Sequence, residues 1–478
     1  LGMMAALIAD KMRPGMVLFS VVVLFLCVGI LTPKEMLEGF SNKGMITVAL
    51  LFLVSEGIRQ SGTLGQVIKK LLPQGKTTVF KAQLRILPSV AFISAFLNNT
   101  PVVVIFAPII KHWAKSVKLP ATKFLIPLSY VTILGGICTL IGTSTNLVVH
   151  GMILEAGYEG FTMFELGKVG IFIAIAGIIY LFIFSKRLLP DARPDTAVPD
   201  EEVEEGEKLH RVEAVLGARF PGINKKLSDF NFQRHYGAEV KEIKTRNGQR
   251  YVDHLEDVVL REGDTLVVMA DDTFIPTWGE SSVFVLLTNG NDPDTSGKKK
   301  RWLALILLVL MIVGATVGEL PATKEMFPDI KLDMFFFVCI TTIIMAWTNI
   351  FPARKYTKYI SWDILITIAC AFAISKAMVN SGVADCVAGF IIGLSDDYGP
   401  HVLLAILFVI TNLFTELITN NAAAALAFPL ALSISAQLGV SPTPFFVVIC
   451  MAASASFSTP IGYQTNLIVQ GIGNYKFT

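Results

Sequence analysis

Apolar residues in this chain come in long runs, without the alternation or the three-to-four spacing of a soluble domain. The runs 15–31, 45–58, 124–141, 168–184, 302–318, 334–351 and 361–375 approach the ~20 residues a helix needs to cross the hydrocarbon of a bilayer. Two further apolar stretches, 86–110 and 401–440, are interrupted by Asn98-Asn99-Thr100 and by Thr419-Asn420-Asn421. Gly142-Thr143-Ser144-Thr145-Asn146 and Gly462-Tyr463-Gln464-Thr465-Asn466 interrupt two more. These interruptions repeat. Asn99 and Pro108 find Asn420 and Pro429 at an offset of 321, and Gly142, Thr145 and Asn146 find Gly462, Thr465 and Asn466 at 320. Ser55 and Gly62 find Ser375 and Gly382 at 320 as well. Paired broken helices in corresponding halves of an apolar chain are the mark of a secondary transporter.

The pattern predicts an all-α polytopic membrane protein with inverted repeats, two re-entrant hairpins and broken helices, and a small α+β domain inserted between the repeats. Residues 1–189 form the first repeat and 302–478 the second. An acidic linker (190–209), a soluble domain (210–290) and a basic linker (291–301) lie between them. Basic residues gather in 69–85, 111–123, 186–187, 298–301 and 354–358. If those loops are cytoplasmic, the alternation holds only when 86–110 enters and leaves on the cytoplasmic side and 401–440 on the outer side. Each repeat then has an odd number of crossings, which inverts the second. Leu1–Ala9 reads as the tail of a truncated helix. The second half stops at Thr478, where the first continues into the run 168–184, so a final helix is expected to be missing.

Composition agrees. The chain of 478 residues is 53% hydrophobic and only 16% charged, below the ~25% of soluble domains. A net charge of +2 gives no reason to expect nucleic acid. Cys27, Cys138, Cys339, Cys370, Cys386 and Cys450 lie in or beside apolar segments without CxxC spacing, which reads as lipid-phase packing and not as a disulfide or zinc framework.

The insertion is a different kind of sequence. Its linker carries Asp200-Glu201-Glu202 and Glu204-Glu205, and short β-type runs follow at 210–216, 238–245, 264–270 and 283–287, with Asn247-Gly248 as a hairpin turn. Phe220-Pro221-Gly222, Leu227, Phe230, Tyr236-Gly237-Ala238-Glu239-Val240, Arg246-Asn247-Gly248 and Arg261-Glu262-Gly263-Asp264 are similar to the C-terminal module of bacterial potassium-transport regulators, the TrkA-C or RCK-C fold. That likeness implies a regulatory or dimer-contact role and a possible small ligand.

The interruptions carry the candidate chemistry. A helix broken at membrane depth frees backbone groups that must find partners. Helix N-termini offer N–H donors and a positive dipole end to an anion, whereas unwound carbonyls and amide oxygens suit a hard cation. Thr100 is expected to cap the helix after the first triplet, with Pro101 at its first position. Ser94 and Thr415, each five residues before its Asn, are matched and expected beside a cation. Glu416 faces Ala95 in the alignment, and as an intramembrane acid it is either a hydrogen-bonded structural group or a coupling residue. His150, opposite Gln470, reads as packing, and His112 as part of a basic loop.

These residues resemble the divalent anion/sodium symporter family of the ion-transporter superfamily. That family carries a Ser-Asn-Thr triplet at each hairpin tip and a Gly-Thr-Pro-Pro-Asn-like break after each. The likeness spans essentially all of 1–190 and 300–478. It implies a homodimer with an elevator-like transport domain that moves a divalent anion with sodium, and no enzymatic activity. By position it places Ser94, Asn99, Gly142 and Asn146 at one sodium site and Thr415, Asn420, Gly462 and Asn466 at the other. Asn98, Thr100, Thr145, Thr419, Asn421 and Thr465 would face the solute. Tyr463-Gln464 replaces the proline pair. The stretch Thr459-Pro460-Ile461-Gly462-Tyr463-Gln464-Thr465-Asn466, with the inserted domain, is similar to the sulfate-permease branch. Sulfate is therefore the expected solute, with a dicarboxylate or another oxyanion next, in a multi-pass protein of the cell membrane whose residues 190–301 are cytoplasmic.

Overall fold

The computed structural model describes residues 2–8, 12–191, 210–217, 219–245, 249–271, 274–278, 283–288, 298–327, 330–393, 399–459, 462–473 and 475. Most of the acidic linker, the Asn247-Gly248 turn and Pro460-Ile461 lie outside them. The first half builds α1 (Pro14–Cys27), α2 (Lys43–Gln60), α3 (Thr63–Leu71), α4 (Val79–Ser94), α5 (Asn99–Ser116), α6 (Thr122–Gly136), α7 (Ser144–Glu155) and α8 (Gly167–Leu188). The inserted domain holds β1 (His210–Leu216), β2 (Glu239–Lys244), β3 (Arg250–Tyr251), β4 (Thr265–Ala270) and β5 (Phe284–Thr288). The second half builds α9 (Lys298–Gly318), α10 (Met334–Trp347), α11 (Trp362–Asn380), α12 (Val383–Gly393), α13 (Pro400–Leu417), α14 (Asn420–Leu438), α15 (Thr443–Ser454) and α16 (Gln464–Gly473).

The repeat expected from a handful of residues governs the whole membrane body. Shifted by 320 or 321 residues, α1 through α7 fall on α10 through α16, within one or two residues at most ends. Among the described residues, six helices are long and apolar enough to cross a bilayer. Each predicted apolar run is helical, and the four interruptions are where helices stop and restart: α4 to α5, α6 to α7, α13 to α14 and α15 to α16. α4–α5 and α13–α14 are the two helical hairpins that carry the triplets at their tips. Beyond each break the chain crosses to the other repeat, so that α7 packs on α14 and α15 while α16 packs on α5 and α6. Ala422–Ala425, at most 1% exposed, give α14 the thin face this packing needs.

Two expectations change. The helix after the first triplet starts at Asn99 with Asn98 as its cap, so Thr100 lies inside the first turn. The Asn98 backbone is extended (φ −55, ψ 141), which places the stop two residues earlier. And α5 runs on to Ser116, so that Lys111 and His112 stand on a helix and not in a loop. The apolar face of α5 (Val103, Phe106, Ala107, Ile110, Trp113, Ala114) stays buried to that end and carries the helix through the charges.

The inserted domain is an antiparallel sheet in the order β3-β2-β4-β1-β5, closed over by Phe220, whose ring contacts Phe230, Phe232, Tyr236 and Phe284. β3, too short to show as a run, was not anticipated. On β1, Val212, Ala214 and Leu216 belong to this core, but Val215 is buried against the membrane helices.

Candidate functional site

Helix starts along the chain are capped unevenly, and those at the site are among the ones without a side-chain cap bond. Asn42 caps α2 by accepting from Gly44 N at 2.8 Å, and Asp333 caps α10 from Phe336 N at 3.1 Å. Asn98, Thr143 and Thr419, which precede α5, α7 and α14, make no side-chain cap bond. At α5 and α7 the first-turn N–H groups receive no side-chain cap, while at α14 the N–H of Asn421 is taken by Asn420 Oδ1.

The first residues of the four restarted helices meet. Tyr463, 7% exposed, lies just before α16, and its hydroxyl stands 2.6 Å from the Asn99 amide nitrogen and 3.0 Å from Thr143 Oγ1. It also bonds the Asn420 side chain. Thr143 and Tyr463 are themselves repeat mates, so this hydroxyl pair sits on the pseudo-twofold axis, with Asn99 and Asn420 on either side. Around it the contacts repeat: Ser144 Oγ donates to Asn421 Oδ1 at 3.1 Å, and the mate pair Thr100 and Gln464 lie at 3.4 Å. Thr145 Oγ1 also donates to Asn421, at 3.3 Å. The Thr419 and Thr465 hydroxyls are buried with no partner among the described residues. Asn98 is half-buried beside Ser55 and Ser144, in a crevice roofed by Leu308 and Met311 of α9.

Behind each Asn stands a set of oxygens. Ser94, Thr132, Gly142 and the fully buried Asn99 form the first. Ser94 Oγ lies 2.8 Å from Asn99 Oδ1 and 2.9 Å from Thr132 O, and has one proton for both. With the amide nitrogen turned to Tyr463, Asn99 Oδ1 also faces Thr132 O at 3.0 Å and Gly142 O at 3.3 Å. Oxygen facing oxygen is what a cation resolves. Turned over, the same amide donates to Ser94, Thr132 and Gly142 itself and accepts from the tyrosine. In the second set Thr415 Oγ1 donates to Ala453 O at 2.7 Å, the shifted copy of Ser94 and Thr132. Asn420 Oδ1 there accepts from Asn421 N at 3.0 Å. Gly142 and Gly462 are required by close approach: a Cβ would meet Gly136 O at 2.4 Å in the first case and Thr415 O at 2.5 Å in the second. Both sets are neutral oxygens, and the described residues hold no cluster of His, Cys, Asp or Glu that could bind a transition metal.

Asn146 and Asn466 hold the breaks. Asn146 Nδ2 donates to Gly136 O at 3.3 Å and Thr139 O at 2.8 Å, and Asn466 Nδ2 to Ser456 O at 2.8 Å, where Gly136 and Ser456 are again mates. Asn466 Oδ1 accepts from Ser129 at 2.7 Å, whereas Asn146 Oδ1 is buried without a partner among the described residues. Glu416 is hydrogen-bonded to the second break. Its carboxylate accepts from the backbone N–H of Phe457 and Ser458 at 3.0 Å and of Thr459 at 2.9 Å, tying down the second break. His150 packs against Gly160, as expected.

Sequence reasoning missed Tyr463 as a site residue, although its departure from a small or proline residue was the clue. It also missed the docking of the inserted domain. Lys111 on α5 reaches both carboxylate oxygens of Glu213 on β1 at 2.9 Å, and Leu467 of α16 packs on the Gly263 turn. Burial raises the Glu213 carboxyl, but Lys111 and Lys244 outweigh it and hold it at about 2.

Comparison with known proteins fits this architecture. The family model described as citrate transporter matches residues 4–432 and, in a second placement, 326–478. An uncharacterized transporter of Synechocystis is 29% identical, aligned over 96% of this chain and 88% of its own. A putative sulfur deprivation response regulator of Chlamydomonas reinhardtii is 28% identical over 96% and 93%. A probable sodium/sulfate cotransporter of the same alga is 32% identical over 56% of this chain and 29% of its own. The expected likeness to anion carriers is met at that level. The chain belongs to the citrate transporter family and is a multi-pass membrane transporter of that anion-carrier group, not an enzyme.

Proposed function

We propose that this chain is a sodium-coupled symporter of a divalent anion, with sulfate as its solute, and that it works by elevator-type alternating access. The observation that carries the reading is the position of Asn99, whose two amide atoms face different chemistry. One end of the amide faces the oxygens of Ser94, Thr132 and Gly142 and the other faces Tyr463 on the axis where four helix N-termini meet; with nothing in the set, nitrogen inward satisfies both ends. A sodium ion in that set favours the orientation with oxygen inward. The same orientation aims an N–H donor at an anion on the axis. Cation and anion binding are thereby coupled through one amide, and each raises the affinity for the other. Asn420, with Thr415 and Gly462, does the same for a second sodium, and Thr100, Thr145, Asn421, Asn98, Thr419 and Thr465 complete the solute shell.

A permanently charged tetrahedral dianion suits amide and hydroxyl donors without an arginine. The algal relative named for sodium and sulfate supports the same solute. The inserted domain, read as TrkA-C-like and cytoplasmic, would sense a small ligand or contact a second copy in a homodimer. Purified protein in liposomes should accumulate labelled sulfate under an inward sodium gradient. Uptake that ignores sodium, or no uptake of sulfate, molybdate or succinate, would overturn the reading.

A further inference from the structure

We propose that Tyr463 sets which anions the site accepts: its ring fills the length a linear diacid would need, and its hydroxyl takes the place of one donor to a compact oxyanion. The inference rests on the anion-symport reading above and assigns selectivity to a position of the second break for which the resemblance gave no role. Three observations carry it. The Tyr463 hydroxyl reaches Asn99 at 2.6 Å, Thr143 at 3.0 Å and Asn420, so it touches side chains of both repeats at once. The residue is 7% exposed, so its ring is walled in and has no open solvent to swing into. And its repeat mate is Thr143, which delivers a hydroxyl to the same point from a short stem.

The asymmetry is the argument. Two threonines at these positions would leave a gap along the axis the length of a phenol ring, enough for a solute with carboxylates at both ends. With tyrosine on one side, a solute must accept from Asn99, Asn420, Thr143 and the phenol within one small radius. Four oxygens around one central atom do this, and two separated carboxylates do not. A buried hydroxyl also needs a partner whenever the amides turn to the solute, and an oxyanion oxygen supplies one.

The test is sodium-driven uptake of labelled sulfate in liposomes, with succinate as competitor, for wild type, Tyr463→Thr and Tyr463→Phe. Tyr463→Thr, which copies Thr143, should raise the potency of succinate relative to unlabelled sulfate at least tenfold. Tyr463→Phe keeps the ring and loses the donor, so it should weaken sulfate about tenfold, the size of one lost hydrogen bond to a charged group, while still rejecting succinate. Sodium dependence should stay in both. A Thr variant that transports with an unchanged sulfate-to-succinate ratio, or a Phe variant with wild-type sulfate affinity, overturns the inference. Should Tyr463→Thr not fold, the Phe arm decides alone. Absence of any sodium-driven anion uptake by wild type overturns the symport reading instead, and this inference with it.

Discussion

At the first break the Asn146 amide donates to Gly136 O, and at the second the Asn466 amide donates to Ser456 O, the same bond 320 residues on. Ser94 reaches Thr132 O and Thr415 reaches Ala453 O in the same way. Around this shared scheme the surroundings diverge. The Ala95 carbonyl accepts from the Thr139 hydroxyl and its mate, the Glu416 carbonyl, from the Thr459 hydroxyl, but the Glu416 carboxylate also gathers three backbone amides from the second break, where Ala95 has no polar side chain. Thr143 is small and Tyr463 is large. Gly151 packs on Asn42 and Gly44 of the first repeat, but its mate Gly471 packs on Thr265 and Gly263 of the inserted domain. What the halves share is the oxygen set a cation would need. What they do not share is the side chain at the axis and the way the second break is held.

The sharpest way to break the comparison is at the shared amides. Asn99→Ala and Asn420→Ala should each raise the sodium concentration for half-maximal uptake at least tenfold, with Asn99 the larger effect because its amide is fully buried and Asn420 is half-buried. Sodium titration of uptake reads this directly. Normal sodium dependence in both variants would remove the cation assignment from both sets.

Next in size is the mate pair Glu416 and Ala95. A carboxylate holding three amides is a strong local tie, and Glu416→Gln sets an –NH2 against N–H donors. The variant should lose on the order of 2–3 kcal/mol of stability, seen as a lower melting temperature of the purified protein in detergent. Ala95→Ser should be nearly silent. Equal losses would mean that the two breaks are held alike. The glycine pair should show a smaller contrast of about 1–3 kcal/mol. A Cβ on Gly151 would meet Asn42 Oδ1 at 2.4 Å and the Gly44 backbone at 3.2 Å, whereas on Gly471 its nearest neighbour is the Thr265 hydroxyl at 2.7 Å, which can turn away. Gly151→Ala should thus melt lower than Gly471→Ala.

Much of this was legible before any coordinates. Glycines and asparagines stand where backbones nearly touch in both halves, so the 320-residue offset made the fold and the breaks legible and picked out Ser94, Asn99, Thr415 and Asn420 as matched residues. The ends of helices were less legible. Asn98 and Thr100 are both good caps, and only the extended backbone at Asn98 chose between them. Lys111 looked like a loop residue because its charge hid a continuing buried face. The three donors to Glu416 were not legible either, since they come from a segment that begins 41 residues later in the chain. Tyr463 was visible only as a departure, because a position on a symmetry axis exists only once both halves are folded.

The smallest expected effect tests whether the inserted domain, attached to α5 of one half and α16 of the other, belongs to that asymmetry. Lys111 and Glu213 are partly exposed (27% and 16% of their side chains), so their pair is worth on the order of 1–2 kcal/mol after solvent screening. The Glu213 carboxyl is depressed from an ordinary value near 4.5 to about 2. Its contribution is therefore complete above pH ~4.5 and is lost as pH falls from there toward 2. Between pH 7 and 5 nothing should change. Below pH 4 the amide hydrogens of strands β1 and β4 should lose protection relative to their intrinsic exchange rates in the wild type, and Glu213→Gln should show the lower protection at every pH. Lys111→Ala should speed exchange at neutral pH and lower uptake no more than about twofold, because Leu467 still holds the Gly263 turn. A loss of uptake as deep as that of Asn99→Ala would instead make this contact part of the transport step, and the inserted domain an obligate partner of α5.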